Sequence, residues 1–316
     1  MLATLADEPF DDAGWLFETK WDGVRAIGSI GADRSVELIS RTGHDLLRQF
    51  PEFDNLASAF AGLPIVVDGE IVSLDRAEKS SFQRLQARLN RQSPSSALIG
   101  EVPATYVVFD LLYAFGRDLR AQPLESRKAL LQRALRPSVK NVVYSRHVVG
   151  AGVKAYRSAA KRGLEGIIAK RVDSPYRETR SRDWLKIKTQ HEQEFVIGGW
   201  TDPRGSREQF GALLLGYYTD GELTYAGHVG TGFDRKSLVA VMAQLNQVSA
   251  ERCPFSKEPR TRGRRHWVRP KLVAQIKFGE WTRDGSLRQP VFLGLRHDKR
   301  PRDVVRETPA GRKKGR

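Results

Sequence analysis

Short apolar runs bounded by Gly, Asp or Pro recur through the first 190 residues. They predict strands over 15–20, 24–30, 36–40, 64–67, 71–74, 104–113 and 166–170. Ser80 followed three residues later by Gln83 has the form of a capping box, which predicts a helix from there to about Asn90. Pro123 precedes a second helix over 124–135, with Leu124, Leu131 and Leu135 on one face and Leu130 and Ala134 beside it. A third helix is expected over 152–161.

After Lys188 the texture changes to strands separated by Gly-rich turns. The runs 194–200, 212–219, 223–229 and 273–279 and a short stretch near Val291 read as strands. One helix interrupts them, with Asp234 as N-cap and Leu238, Val241, Met242 and Leu245 on its apolar face. Five strands with one inserted helix suit a small barrel of the oligonucleotide-binding type, although this spacing alone also permits an open sheet. The pattern predicts an α+β chain with a domain over 1–189, a second over 190–305, and a basic, disordered tail over 306–316.

Charge sharpens this division. The 316 residues carry 53 Lys and Arg against 37 Asp and Glu, a net charge of +16. Residues 1–190 hold 29 basic and 23 acidic side chains, whereas 191–316 hold 24 and 14. The second part concentrates Arg252, Lys257, Arg260, Arg262, Arg264, Arg265, Arg269 and Lys271 around Phe255, His266 and Trp267. A surface of this kind binds polyphosphate by releasing its counterions, and a solubilising loop is the competing explanation. An apolar content of 40% excludes a largely disordered chain. A single Cys253 excludes an internal disulfide and a Cys-rich zinc module, which suggests a reducing compartment. Acidic Asp7, Glu8, Asp11 and Asp12 give the first residues the wrong charge for a targeting peptide.

The most informative stretch is Glu18-Thr19-Lys20-Trp21-Asp22-Gly23-Val24-Arg25, which sets a lysine at the end of an apolar strand before a tight turn. A lysine is nucleophilic only without its proton, and burial or neighbouring cations bring that within reach of neutral pH. A strand-terminal lysine reaching for water fits the octapeptide equally well. Asp68-Gly69-Glu70 lies between two apolar runs, and Glu165-Gly166 follows a helix. Such carboxylates suit Mg²⁺, and Mn²⁺ equally. Trp184-Leu185-Lys186-Ile187-Lys188 puts two lysines on one strand face, an arrangement that an anion such as phosphate would relieve.

In this order, Lys20-x-Asp22-Gly23-x-Arg25, Ser40-Arg41-Thr42-Gly43, Asp68-Gly69-Glu70, Tyr106 to Phe109-Asp110, Glu165-Gly166, Lys186-x-Lys188 and the stretch from Phe292 to Arg296, Asp298 and Lys299 resemble the successive motifs of the covalent nucleotidyltransferase superfamily. Within it the chain looks most like the ligase module of bacterial multifunctional end-joining DNA ligases. Thr42 stands where the common pattern has Asn.

The resemblance implies a nucleotidyltransferase (adenylation) domain with antiparallel sheets and flanking helices, then an oligonucleotide-binding barrel. It implies that Lys20 takes AMP from ATP and passes it to the 5′-phosphate of a nick, which the 3′-hydroxyl then closes. Glu18, Thr19 and Arg25 would contact the nucleotide, Phe109 would stack on adenine, and Asp22 would belong to the catalytic group. Glu70 and Glu165 would serve the metal and ribose. Lys186 and Lys188 would hold the α-phosphate and keep Lys20 neutral. Arg296, Asp298 and Lys299 would orient the leaving pyrophosphate, with a hinge near 189–193. Arg41 would touch the DNA 5′-phosphate or the nucleotide, and Arg262, Arg264 and Arg265 would meet DNA, with Phe109 as plain core and an RNA ligase, a GTP-using capping enzyme or a non-enzymatic DNA-binding scaffold as alternatives. The implied partners are nicked or broken duplex DNA and a Ku-type end-binding protein, and the implied setting is a monomer in the bacterial cytoplasm, at the nucleoid and away from membranes.

Overall fold

In the computed structural model, Val24–Ile30 alternates buried and half-buried side chains along its whole length. Val24, Ala26 and Ile30 join the core, leaving Arg25, Ile27 and Ser29 on the opposite face. The structure describes residues 1–307 apart from 90, 137–138, 140, 190, 204–207, 262 and 283. It divides into two units, Met1–Thr189 and Gln190–Glu307.

In chain order the first unit contains β1 (Leu2–Leu5), β2 (Trp15–Thr19), β3 (Val24–Ile30), β4 (Val36–Ser40), β5 (Ile65–Val72), α1 (Phe82–Leu89) and α2 (Ser96–Glu101). Then come β6 (Thr105–Ala114), β7 (Arg117–Asp118), α3 (Leu124–Ala134), β8 (Val142–Tyr144), β9 (His147–Val149), α4 (Gly152–Lys161), β10 (Gly166–Arg171) and β11 (Arg180–Lys188). One sheet has the order β1-β11-β10-β2-β9; the other runs β4-β3-β5-β6-β7, with β8 on β6. Not every pair is antiparallel as expected: β1 lies parallel to β11, and β8 parallel to β6. The β6–β8 pairing is possible because α3 carries the chain back between them, as a parallel connection requires.

Two expectations need correction. The runs 64–67 and 71–74 are one strand, β5, with Asp68-Gly69-Glu70 at its centre. Gly69 lets the strand lie against Tyr106, since a Cβ there would stand 2.5 Å from the ring and 2.7 Å from the Val107 carbonyl. The box at Ser80 and Gln83 does not form. The Ser81 hydroxyl accepts from Arg84 N at 3.4 Å, and the Asp22 carboxylate accepts from Phe82 N at 3.0 Å. Ser80 instead accepts from Asp22 N at 3.0 Å, so turn and helix start hold each other.

The sheet containing β2, β10 and β11 buries Phe17, Ile167, Ala169 and Ile187 together with Ala159 of α4. Alternation and register put Glu18, Ile168 and Lys186 side by side on its other face, with Lys170 opposite Trp184 and Lys188 opposite Gly166. Phe109 of the second sheet meets Trp184 edge-on at 5.9 Å, so these polar faces look at each other.

The second unit contains β12 (His191–Thr201), β13 (Leu213–Thr219), β14 (Glu222–Val229), α5 (Arg235–Gln247), β15 (Ser249–Ala250), β16 (Arg265–Phe278), β17 (Glu280–Trp281), β18 (Leu287–Arg288) and β19 (Val291–Leu295). Its main sheet runs β14-β13-β12-β16, with β19 also on β16, and a bridge from Thr231 to Val291 brings the β14 end round to β19. This closure makes it a barrel rather than an open sheet. Asp234 caps α5 in a reciprocal box with Ser237. The strand expected over 273–279 begins eight residues earlier, at Arg265, because β12 pairs with it up to Thr201. The chain stays ordered past 305: Arg306 lies 4.3 Å over the Trp281 ring, and Glu307 N donates to the Gln193 side chain at 3.1 Å. The rest of the expected tail, 308–316, is outside the described residues. No helix of the described residues is long and apolar enough to cross a membrane.

Candidate active site

Lys20 leaves the end of β2 with its backbone N donating to Gly166 O at 2.9 Å. Its ammonium, about a fifth exposed, donates to Glu165 Oε2 at 2.5 Å. Gly166 sits at φ +156 with no room for a Cβ, which would fall 2.2 Å from Ile187 O, and this closeness brings the Lys20, Glu165 and Lys188 segments together. Burial opposes the Lys20 charge, but Glu165, with Asp22 and Glu70 around it, outweighs burial and raises the pKa above the ordinary lysine value. The expectation that cations keep this amine neutral is not met: carboxylates around it favour its charged form.

On the second sheet, Arg25 stands opposite Glu70 in the β3–β5 register. Its guanidinium forks onto Asp68, with Nε to Oδ1 at 2.9 Å and Nη2 to Oδ2 at 2.5 Å, and it also donates to Tyr176 Oη at 3.2 Å. Asp68 is fully buried; burial alone would raise its pKa, but Arg25 holds it below the usual carboxylate range. The sequence offers Asp68 only as one of several carboxylates suited to a metal, whereas the structure gives it the role of holding Arg25.

Glu18 is not available as a direct nucleotide contact in this arrangement. It is 3% exposed, bonded to the Lys128 ammonium, and accepts from Lys170 at 2.9 Å and the Ser145 hydroxyl at 3.2 Å. Burial works against its charge, but the two lysines prevail and lower its pKa. Burial pushes the Lys170 amine down to about 8 despite Glu18. That amine lies 4.3 Å from the Phe109 ring centre and 4.1 Å from that of Trp184. Phe109, 8% exposed, is thus core packing and site wall at once. Neither Lys128 nor Lys170 stands out in the sequence, because each lies within an ordinary helical or strand pattern.

Arg41 is exposed at the end of β4 and borders, with Arg25, Arg120, Ser40, Tyr113 and Tyr176, a cavity of about 810 Å³. In the second unit Arg264 is exposed, while Arg265 pairs with Glu258 at 3.0 Å and lies 5.8 Å over Trp267. Arg262 falls outside the described residues. The basic segment before β16 is pinned by Phe255, 5% exposed, whose ring occupies the space a Cβ would take at Gly198. Arg296 forks onto Asp298 with both bonds at 2.8 Å, and Lys299 pairs with Glu194 at 3.0 Å.

Glu70 and Glu165 offer hard oxygen donors around Lys20. No group of three His, Cys, Asp or Glu side chains suited to a metal occurs among the described residues. Mg²⁺ bound by one or two carboxylates plus substrate phosphates and water needs no larger group, so this donor set fits it.

Comparison with known proteins agrees with the geometry. Residues 1–188 match the ATP dependent DNA ligase domain family, and residues 206–299 the ATP dependent DNA ligase C terminal region. The multifunctional non-homologous end joining protein LigD of Pseudomonas aeruginosa is 41% identical over 319 residues, covering 98% of this chain and 36% of that protein. Its namesake from Mycobacterium bovis is 36% identical over 298 residues, covering 93% of this chain and 37% of that protein. The chain thus spans little more than a third of those relatives. A solved structure described as mycobacterial DNA ligase D complexed with ATP and MES is similar at a TM-score of 0.69 and 34% identity, covering 97% of each chain. With two ligase-family matches in sequence order and this likeness along nearly its whole length, the chain belongs to the ATP-dependent DNA ligase family.

Proposed function

We propose that the chain seals 5′-phosphate/3′-hydroxyl nicks in duplex DNA during end joining, with Lys20 carrying the adenylate. The observation that carries this reading is the Lys20 amine held by Glu165, with Asp22 and, from the facing sheet, Glu70 acting on its charge. In the first step Lys20 Nζ forms a bond to the α-phosphorus of ATP as the bond to pyrophosphate breaks. An oxygen of the DNA 5′-phosphate then takes the adenylyl group, breaking the N–P bond. The 3′-hydroxyl oxygen finally attacks that 5′-phosphorus, and AMP leaves.

The chain's own groups account for the proton. Burial is the largest influence on Lys20 and acts to lower its pKa, and the Glu165 carboxylate reverses the balance. Drawing Glu165 away from the ammonium would remove the strongest pull toward the charged form and lower the pKa, so that the proton passes to water as the Nζ–P bond forms. Lys186 and Lys188 then lie against the α-phosphate oxygens and offset charge growing there. A divalent cation held by Glu70 and Glu165, Mg²⁺ or Mn²⁺, would supply further charge neutralisation at the phosphates. Arg25, fixed by Asp68 and Tyr176, orients the ribose; Phe109 and half-buried Ile168 bound the adenine from opposite sheets. Asp22 acts as a positioning residue by tying the turn after Lys20 to α1. Arg296, Asp298 and Lys299 are assigned to the pyrophosphate, and Arg41, Arg264 and Arg265 to DNA. By analogy with the end-joining relatives, the setting is the bacterial nucleoid, with broken ends presented by a Ku-type protein.

The test is sealing of a nicked duplex by wild type and Lys20→Ala, with and without a pre-installed 5′-adenylate. Lys20→Ala should fail on the ordinary nick and close the pre-adenylylated one. A Lys20→Ala protein that still forms a covalent adenylate from labelled ATP would overturn the assignment.

A further inference from the structure

The hairpin between β6 and β7 turns through two residues, Phe115 and Gly116, because Ala114 pairs with Arg117 and Tyr113 with Asp118. Both turn residues have positive φ, 53° and 73°. A two-residue turn of this hand favours Asn-Gly or Asp-Gly, and a bulky aromatic in the left-handed region is strained. Phe115 is also 61% exposed, the most exposed large apolar side chain of the described residues. One residue thus carries both a conformational cost and an apolar cost, and no packing gain in the core compensates either. A retained outlier of this kind points to function at the tip.

The surroundings say what the tip meets. The Phe115 ring lies against Gly62, where an added Cβ would stand 3.3 Å from it. The segment beside Gly62 is tied to the end of α3, with Ala61 N donating to Ala134 O at 2.7 Å and Arg136 N to Ala59 O at 2.8 Å. Arg117, Arg133 and Arg136 are all exposed, and Asp118, the acidic residue beside Arg117, pairs with Arg120 at 2.9 Å. An exposed aromatic ring on a turn whose neighbouring segments carry exposed arginines matches a nucleic acid, with stacking or wedging by the ring and phosphate contacts by the cations. Phe115 lies six residues beyond Phe109 on β6, roughly 20 Å at about 3.3 Å per residue, or about six base pairs along a duplex.

We propose that Phe115, with Arg117, Arg133 and Arg136 on the neighbouring segments, is a second contact with duplex DNA, on the flank of the break rather than at the reacting phosphates. The proposal rests on the ligase reading for its substrate but on none of the groups around Lys20.

Phe115→Asn separates function from folding, because it relieves the turn while removing the ring. It is expected to raise Tm by about 2–4 °C, to weaken binding of a nicked duplex at least about fivefold, and to leave self-adenylylation unchanged. Phe115→Tyr should bind as wild type does, and Arg117→Gln should flatten the dependence of log Kd on log salt by about one. Unchanged DNA binding by Phe115→Asn would overturn the proposal, as would a lowered Tm with loss of self-adenylylation, which would make Phe115 structural. An unaltered salt slope in Arg117→Gln would likewise count against it. Failure of the wild type itself to seal nicks would instead strike at the ligase reading.

Discussion

The Lys20 ammonium and the Glu165 carboxylate, 2.5 Å apart, close a short bridge between the end of β2 and the start of β10. The amine proposed to carry the adenylate is therefore held as a cation. Glu165→Gln removes the group that keeps it so while leaving burial in place, and burial lowers a lysine's pKa. The pH midpoint for acylation of Lys20, followed by mass spectrometry without ATP or metal, should move down in this variant. An unmoved or higher midpoint would refute the proposed balance.

The same pair has a stability signature. Because the folded pKa of Lys20 lies above the unfolded value, its contribution is fully present below pH 10.5 and fades as pH rises through the folded value. Wild type should lose its stability advantage over Glu165→Gln on that alkaline limb, as read from urea midpoints across pH. An advantage growing above pH 10.5 would have the wrong sign.

Glu18 makes the opposite demand, since its buried charge has to stay paired. Lys128→Met leaves the carboxylate with one lysine and should cost about 3 kcal/mol in urea unfolding, the scale of a broken buried pair. Adding Glu18→Gln to that variant should recover part of the loss, because the unpaired charge goes with it. Additive losses in the two variants would show that the network is not coupled.

These cases mark what the sequence could reveal. Val24–Ile30, Val36–Ser40 and Gly152–Lys161 were legible to the residue, because alternation or helical spacing writes burial directly into residue type. Lys20, Glu165 and the lysine pair were legible as motifs. The charge state of Lys20 was not, since it depends on which partner lies 2.5 Å away across 145 residues of chain. Ile167 and Ile168 look alike in sequence, yet the β10 register buries one and turns the other toward the site. The role of Asp68 was hidden for a similar reason: an apparent gap between two strands proved to be mid-strand, where Arg25 could reach it.

That fork gives Arg25 a fixed plane, which an ammonium cannot reproduce. Arg25→Lys should lower kcat/KM for self-adenylylation at least about tenfold, equivalent to about 1.4 kcal/mol, with the pH profile of Lys20 acylation unchanged. A simultaneous shift in that profile would mean Arg25 acts on the nucleophile rather than on the substrate.

Arg296 and Lys299 call for different experiments, because their pairs differ in burial. Arg296 and Asp298 are each 9% exposed in side chain; burial alone would raise the Asp298 pKa, and Arg296 overrides this and lowers it. Charge reversal at Arg296 would set two carboxylates together in the second unit, so it should lower Tm and impair every step. The Asp298 contribution is present above its unfolded value near 3.8 and fades as pH falls through the lower folded value. Lys299 and Glu194 are about a fifth exposed, and such a pair contributes no more than about 1 kcal/mol. Lys299→Ala should therefore keep its Tm, slow self-adenylylation and spare closure of pre-adenylylated nicks. Equal slowing of both reactions by Lys299→Ala would remove this lysine from the pyrophosphate step.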